Sequence, residues 1–345
     1  MDEKNYTFIT CGTGGHVFPT LELVKEMVRQ KYKVTLIIDK ISGKKYKYIT
    51  EDISKENLNI IYTTPFKKNI WIPFTFTKNI WEAYRAIKNS SIIIGFVAGI
   101  QFPILLLAVT LKKKIILHEQ DSILNLTNKL FAKYTSKIFT SFRNVKNLNP
   151  KKQIWLGCPI SKKFIDSSYN NPNHSKFITI LGGSNGADFF DKVLVNKLIN
   201  MKELRDYNIY HNCRSSNIDY VKDIYAKNGF KAVVSDFFFN YEELIIKSIF
   251  LITRGGASTI SYLGLYDKNA IIIPWPNSAQ NHQVNNGLIL ENTKASITIE
   301  EKNISQLEEA VRILIKNNFN YGSNIQKEFK CVKPDIYIKE LLKYT

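Results

Sequence analysis

The run Thr7-Phe8-Ile9-Thr10-Cys11-Gly12-Thr13-Gly14-Gly15-His16 decides the reading of the first half of the chain. Thr7 to Thr10 has the β-branched and aromatic make-up of a strand, a glycine turn follows it, and an apolar pattern of helical period runs near Leu21 to Gln30. Strand, glycine turn and helix in that order open a βαβ unit, and βαβ units build a parallel sheet. Glycines in such a turn admit positive φ and let an anion approach the backbone, while the helix start offers unpaired N–H groups and a partial positive charge. The turn lacks the Lys-Ser/Thr ending of a P-loop and does not keep GxGxxG spacing, so it points to neither an ATPase nor a dinucleotide enzyme.

The same grammar recurs along the chain. Val34 to Ile38, Ile92 to Ile94, Ile115 to His118 and Ile138 to Thr140 read as strands, with a helix through Asn128 to Tyr134. After Asn170-Asn171-Pro172-Asn173 it begins again: Phe177 to Leu181 leads into Gly182-Gly183-Ser184-Asn185-Gly186-Ala187 and a helix, and Ile249 to Thr253 leads into Arg254-Gly255-Gly256-Ala257-Ser258-Thr259 and another. Ala270 to Ile273 ends at Pro274-Trp275-Pro276. The fold class expected is therefore α/β, two Rossmann-like doubly wound parallel-sheet domains facing a cleft, with the boundary between Pro159 and His174. At 345 residues with 44% hydrophobic content, the chain is long enough for two such cores.

The 20 uncharged residues from Ile92 to Leu111 have the length of a membrane span. Gln101, Pro103 and two glycines interrupt them, so they are read as a buried strand, a turn and a buried helix from Phe102. The acidic start MDEKNYTFIT is unlike a signal peptide. Cys11, Cys158, Cys213 and Cys331 form no CxxC pair, so neither a metal site nor a disulfide framework is expected, and a reducing compartment fits. The net charge of +18 suits a phosphate-rich partner or an anionic membrane surface. Nucleic acid is not expected, because the basic residues form no single stripe and no binding signature accompanies them.

Chemistry is expected at the strand ends. His16 stands at the lip of the first turn, where an imidazole can take a proton near neutral pH; it can equally be a helix-start histidine bonded to backbone. His118-Glu119-Gln120-Asp121 closes another strand with a carboxylate and amides, or else Asp121 is simply the cap of the next helix. Arg254 adds a cation to a glycine turn and so suits a diphosphate. Lys67 to Lys78, with Trp71, Phe74 and Phe76 between lysines, has the make-up of an interfacial contact, or equally of a core segment with solvated ends.

Taken together, Cys11 to Pro19, His118-Glu119-Gln120, Leu126-Thr127-Asn128-Lys129, Gly182-Gly183-Ser184, Gly256-Ala257-Ser258-Thr259 and His282-Gln283 resemble, in order and spacing over nearly the whole chain, the MurG family of GT-B glycosyltransferases. The resemblance implies an inverting transfer of N-acetylglucosamine from UDP-GlcNAc to lipid I, undecaprenyl-diphosphate-MurNAc-pentapeptide, in peptidoglycan synthesis, with no obligatory cofactor. It implies an acceptor and membrane-associating domain over 1–160, a UDP-GlcNAc domain over 161–325, and a last helix over 326–345 that returns to the first domain. It further implies a peripheral place on the cytoplasmic face of the bacterial inner membrane, with other cell-wall enzymes as partners. By similarity, Thr13, Gly14, Gly15, Ser161, Ser184, Phe238, Arg254, Ala257, Ser258, Thr259, Ile260, Ser261, Tyr262 and Gln283 bind substrate. His16 is the first choice for the catalytic base, and Asp121, also substrate-binding, is the second. The chain departs from the family pattern in several places: Tyr262 replaces a glutamate, Asp121 and Cys158 each replace an asparagine, Ser161 an arginine, and Val97-Ala98 part of a glycine loop. Of these, Tyr262 and Val97-Ala98 support an alternative, a degenerate relative that binds substrates with weak or no turnover.

Overall fold

The computed structural model describes residues 4–12, 14–47, 51, 53–63, 81–96, 102–167, 176–183, 186–238, 241–316 and 321–344. The chain divides into two compact units, Met1–Lys162 with Cys331–Thr345, and Lys163–Lys330.

The first unit carries a seven-stranded parallel sheet of β1 (Asn5–Thr10), β2 (Lys33–Asp39), β3 (Leu58–Thr63), β4 (Ile92–Phe96), β5 (Lys114–Glu119), β6 (Lys137–Thr140) and β7 (Gln153–Trp155). Its order is β3-β2-β1-β4-β5-β6-β7, so the direction of winding reverses between β1 and β4. Strand ends at such a reversal splay apart and leave a crevice for a ligand. The central strands are buried along almost their whole length, as a sheet covered on both faces requires. Helix α1 (Gly14–Arg29) starts inside the glycine turn, seven residues before the apolar pattern at Leu21, and lays Val17, Leu21, Val24 and Val28 on the sheet. Ile92 to Leu111 separates into β4 and α3 (Phe102–Thr110). The expectation of a buried α3 needs correction: Ile104, Leu105 and Ala108 face the protein, but Phe102 and Leu106 are exposed. Among the described residues, no helix is long and apolar enough to cross a membrane.

The chain re-enters this unit through a short parallel pair, β8 (Cys158–Pro159) with β15 (Cys331–Val332), whose register places Cys331 beside Cys158. Both cysteines are free thiols, and burial holds both in the protonated form, Cys158 pushed up to about 12. The last helix, Pro334–Leu342, packs on α1 and buries Tyr337, Ile338 and Leu341 in the same core.

The second unit repeats the design. Its sheet contains β9 (Phe177–Leu181), β10 (Asn208–Asn212), β11 (Lys231–Ser235), β12 (Ser248–Thr253), β13 (Asn269–Ile272) and β14 (Ile297–Thr298). All pairs are parallel in the order β11-β10-β9-β12-β13-β14, with the reversal between β9 and β12. The glycine turns after β9 and β12 thus flank the switch point of this sheet. Its core is separate, built on Ile178, Ile180, Phe190, Leu194, Ile252 and Ile271.

Candidate active site

In the first unit, the turn after β1 is held from the side. Asp39 closes β2 and caps the helix Lys40–Lys45, its Oδ1 accepting from Ser42 N at 2.9 Å. Its Oδ2 accepts from Gly12 N at 3.1 Å, and Ser42 Oγ lies equally close to that nitrogen. The Gly12 N–H is therefore already bonded, and an anion at this turn meets the start of α1. Pro19, inside α1, cannot donate to the Gly15 carbonyl, which loosens the first turn of the helix just where the site forms. His16 is half-buried there, and the Gln120 amide nitrogen reaches to 3.5 Å from its Nε2. Thr13 and Val97-Ala98-Gly99 lie outside the described residues.

His118 has a different setting. It is 1% exposed, lies between the hydroxyls of Tyr337 (3.1 Å from Nδ1) and Ser141 (3.0 Å from Nε2), and stacks on Phe96 with ring centres 4.4 Å apart. Burial, with a smaller push from the nearby His16, drives its pKa down to about 3, so it stays neutral and structural. Glu119 is fully buried, and its Oε2 accepts from Asn125 N, Asn125 Nδ2 and Asn128 Nδ2 at 2.8 to 2.9 Å. Burial first, and the charge of Asp121 second, push Glu119 up to about 8. The effect of these bonds is mechanical: Glu119 fixes the loop that carries Asp121. The helix Leu126–Phe131 is capped by Asn125, whose Oδ1 accepts from Asn128 N at 2.9 Å, and not by Asp121. Asp121, 7% exposed, is buried at the sheet edge beside Gln120. Ser161 is half-buried and bonds the Glu22 carboxyl of α1.

In the second unit, Gly183 and Gly186 both have positive φ, and Gly186 N donates to Gly183 O at 3.0 Å, closing the turn after β9. Ser184 lies outside the described residues. The turn after β12 ends in Gly256, which caps the helix Ala257–Leu265; a Cβ at Gly256 would meet nothing within 4 Å, so its backbone is open to a ligand. Gly255 has no such room, because a Cβ there would lie 2.5 Å from the Gln283 carbonyl oxygen. Ala257 is buried, Ser258 and Thr259 are half-exposed, and Ile260 and Ser261 are buried at 0% and 2% on the inner face of the helix. These last two belong to the packing, contrary to the expectation that they line the site. Gln283 Oε1 accepts from Trp275 N at 3.0 Å, which ties the Pro274-Trp275-Pro276 segment to the same edge. Phe238 is half-buried beyond β11, its ring 6.1 Å from that of Tyr210. The ring of Tyr262 lies between Phe164 and Tyr241, with centres 5.9 Å and 5.6 Å away, so the residue that stands for a glutamate is part of an aromatic cluster.

Arg254 corrects the sequence reading most sharply. Its side chain is 8% exposed, its Nη1 lies 2.7 Å from Glu301 Oε1 and donates to Ile273 O at 3.0 Å, and its guanidinium sits 4.5 Å over the Phe190 ring. It braces the turn from beneath, with its charge already balanced. Burial lowers its pKa, and Glu301 works in the opposite direction.

Comparison with known proteins bears on these two edges. Residues 6–140 match the glycosyltransferase family 28 N-terminal domain, and residues 177–336 match its C-terminal domain. The UDP-N-acetylglucosamine--N-acetylmuramyl-(pentapeptide) pyrophosphoryl-undecaprenol N-acetylglucosamine transferase of Wolbachia sp. subsp. Drosophila simulans is 31% identical over 330 residues, covering 92% of this chain and 90% of that protein. The chain belongs to the MurG family. The same-named enzyme of Rickettsia canadensis is 33% identical and covers 90% of each chain. Among solved structures, the MurG of Acinetobacter baumannii matches with a TM-score of 0.79 at 20% identity, covering 99% of both chains. That likeness gives the GT-B fold, and this chain also matches a Listeria monocytogenes protein whose name assigns it as a UDP-N-acetylglucosamine 2-epimerase (TM-score 0.66, 10% identity, 99% of this chain and 95% of that one).

Proposed function

We propose that this chain is the inverting glycosyltransferase that moves N-acetylglucosamine from UDP-GlcNAc to the 4-hydroxyl of MurNAc in undecaprenyl-diphosphate-MurNAc-pentapeptide, converting lipid I to lipid II. The observation that carries this reading is the match, at 31% identity over nine-tenths of both chains, to relatives that bear that activity in their name. In this reading, the second unit holds the donor. The open backbone at Gly256, the start of the helix behind it and the glycines after β9 meet the diphosphate. Ser258 and Thr259 present hydroxyls beside it, Phe238 backs the uracil, and Gln283 orients the sugar. By resemblance, Thr13, Gly14, Gly15 and Ser184 belong to the donor set. The first unit receives the acceptor, with the His16 turn facing its diphosphate.

The displacement forms a bond from the MurNAc oxygen to C1 of GlcNAc and breaks the bond from C1 to the UDP oxygen. The hydroxyl proton passes to a base, and the negative charge passes to UDP. His16 takes the role of base, because it is the half-exposed imidazole at the start of α1 and has the Gln120 amide to steady its ring. Asp121 is the second candidate. The acceptor is a membrane lipid, so the protein works at an anionic bilayer surface, peripherally, on the side where UDP-GlcNAc is made. The Lys67 to Lys78 segment lies outside the described residues. Support comes instead from two exposed apolar stripes at helical spacing, Phe102 with Leu106, and Leu126 with Leu130 and Tyr134. Phe102 and Phe131 join them, with ring centres 5.2 Å apart, and Lys129 and Lys133 flank the second.

The test is transfer of label from radioactive UDP-GlcNAc to a lipid I analogue, with UDP-GalNAc as competitor. A labelled lipid product that unlabelled UDP-GalNAc fails to suppress is expected. Donor binding without any product would overturn the reading in favour of a binding protein that has lost turnover.

A further inference from the structure

With Arg254 engaged beneath its turn, the donor edge of the second unit needs another cation, and the structure offers one that no motif marked. Arg214 lies two residues past Asn212, the end of β10, and Asn212 pairs in register with Leu181, the end of β9. It therefore stands as many residues beyond the sheet as Gly183 does on the neighbouring strand. The two turns touch: a Cβ on Gly186 would lie 2.7 Å from Arg214 N and 2.8 Å from its Cγ, so Arg214 packs on a position that only glycine can occupy.

The base of this arginine is fixed. Its N–H donates to Asp191 Oδ2 at 3.1 Å, and Asp191 is fully buried, also accepts from Asn217 Nδ2 at 2.8 Å, and lies 3.4 Å from His211 Nε2. Its side chain, by contrast, is 45% exposed, and among the described residues its Nη1 meets a carboxylate that is itself 49% exposed, Asp188 Oδ2 at 3.0 Å. An ion pair so open to water contributes little and is readily exchanged. A guanidinium fork matches two phosphate oxygens better than a lone ammonium does.

We propose that Arg214 is a binding residue for the donor's diphosphate, leaving Asp188 to meet phosphate oxygens beside Gly182, Gly183 and Gly186. This rests on the donor reading of the second unit given above. A charge-assisted contact of this kind is worth about a tenfold change in binding or more.

The full-length protein is titrated with UDP by calorimetry and assayed for transfer as wild type, Arg214→Ala, Arg214→Lys and Asp188→Asn, with thermal melts to confirm that each is folded. Arg214→Ala is expected to weaken UDP binding and raise the KM for UDP-GlcNAc by about tenfold or more, with kcat and the acceptor KM within about twofold. Arg214→Lys recovers part of the loss, and its UDP affinity, like that of wild type, falls more steeply with salt than that of Arg214→Ala. Asp188 Oδ1 also accepts from Asn217 Nδ2 at 2.8 Å; Asp188→Asn, which keeps an oxygen acceptor there but removes the competing charge, tightens UDP binding. If wild type binds UDP and Arg214→Ala binds it equally well, the role of Arg214 is overturned while the donor reading stands. Should wild type bind no UDP, the donor reading fails as well. Should Arg214→Ala not fold, tighter binding by Asp188→Asn supports the proposal and unchanged or weaker binding overturns it.

Discussion

His16 and His118 are both imidazoles at the edge of one sheet, His16 half-exposed and His118 fully enclosed. His118 is enclosed by Phe96, Ser141 and Tyr337 and held neutral down to about pH 3, so it can neither take nor give a proton near neutrality. Its ordinary value in an unfolded chain is 6.5. Between these values the unfolded chain binds the proton that the native protein refuses. The stability His118 contributes is therefore fully present above pH 6.5 and is lost as pH falls below it, by up to about 1.4 kcal/mol per pH unit. Melting temperatures from pH 7.5 to 5 should thus fall more steeply for wild type than for His118→Gln, and parallel curves would show that the imidazole plays no such part. His16 is half-exposed. Replacing it with Ala should lower kcat by about a hundredfold or more while leaving both KM values nearly unchanged. Wild-type kcat in that variant would move the role to Asp121, for which Asp121→Asn is the matching measurement.

At the level of elements, the glycine turns after β1, β9 and β12 were legible because the chemistry of a strand-to-helix turn is local. So were the buried strands Phe177–Leu181 and Ile92–Phe96, whose unbroken apolar runs suit a sheet covered on both faces. Leu58–Thr63 and Lys231–Ser235 are not legible in the sequence because they lie at the sheet edges, where half-exposed strands mix polar and apolar residues without a clear period. The start of α1 is hidden for a related reason: Gly14, Gly15 and Pro19 are poor helix residues, and tertiary packing on β1 and β2 overrides that preference. Partnership is what sequence spacing conveys least. Arg254 reads as a cation on a phosphate turn until Glu301, 47 residues further on, is found beside it. Arg214 reads as an ordinary polar residue until Gly186 is found against it. The pairing of Cys158 with Cys331 is likewise a product of chain return, invisible in two thiols so far apart in sequence.

For the whole molecule, the question is how a chain with no spanning helix among its described residues reaches a lipid-linked substrate. Two terms are available, and they respond differently to conditions. The net charge of +18 draws the protein to an anionic surface over a range set by the Debye length, about 8 Å at physiological salt, so this term fades as salt is added. The stripe of Leu126, Leu130 and Tyr134, with Lys129 and Lys133 beside it, supplies apolar area that salt does not screen. Neither term suffices alone: charge without insertion holds loosely, and a stripe of three side chains on one short helix and the 3-10 turn after it is too small to anchor a protein of 39.8 kDa. Binding to vesicles, measured by co-sedimentation, should therefore rise with the fraction of anionic lipid and fall, without vanishing, as salt is raised. The double variant Leu126→Ser, Leu130→Ser keeps every charge and should bind more weakly by about tenfold, with the same dependence on anionic lipid but little residue left at high salt. Equal binding by the variant would remove this stripe from the contact, and binding by wild type that ignores both salt and lipid charge would remove the electrostatic term with it.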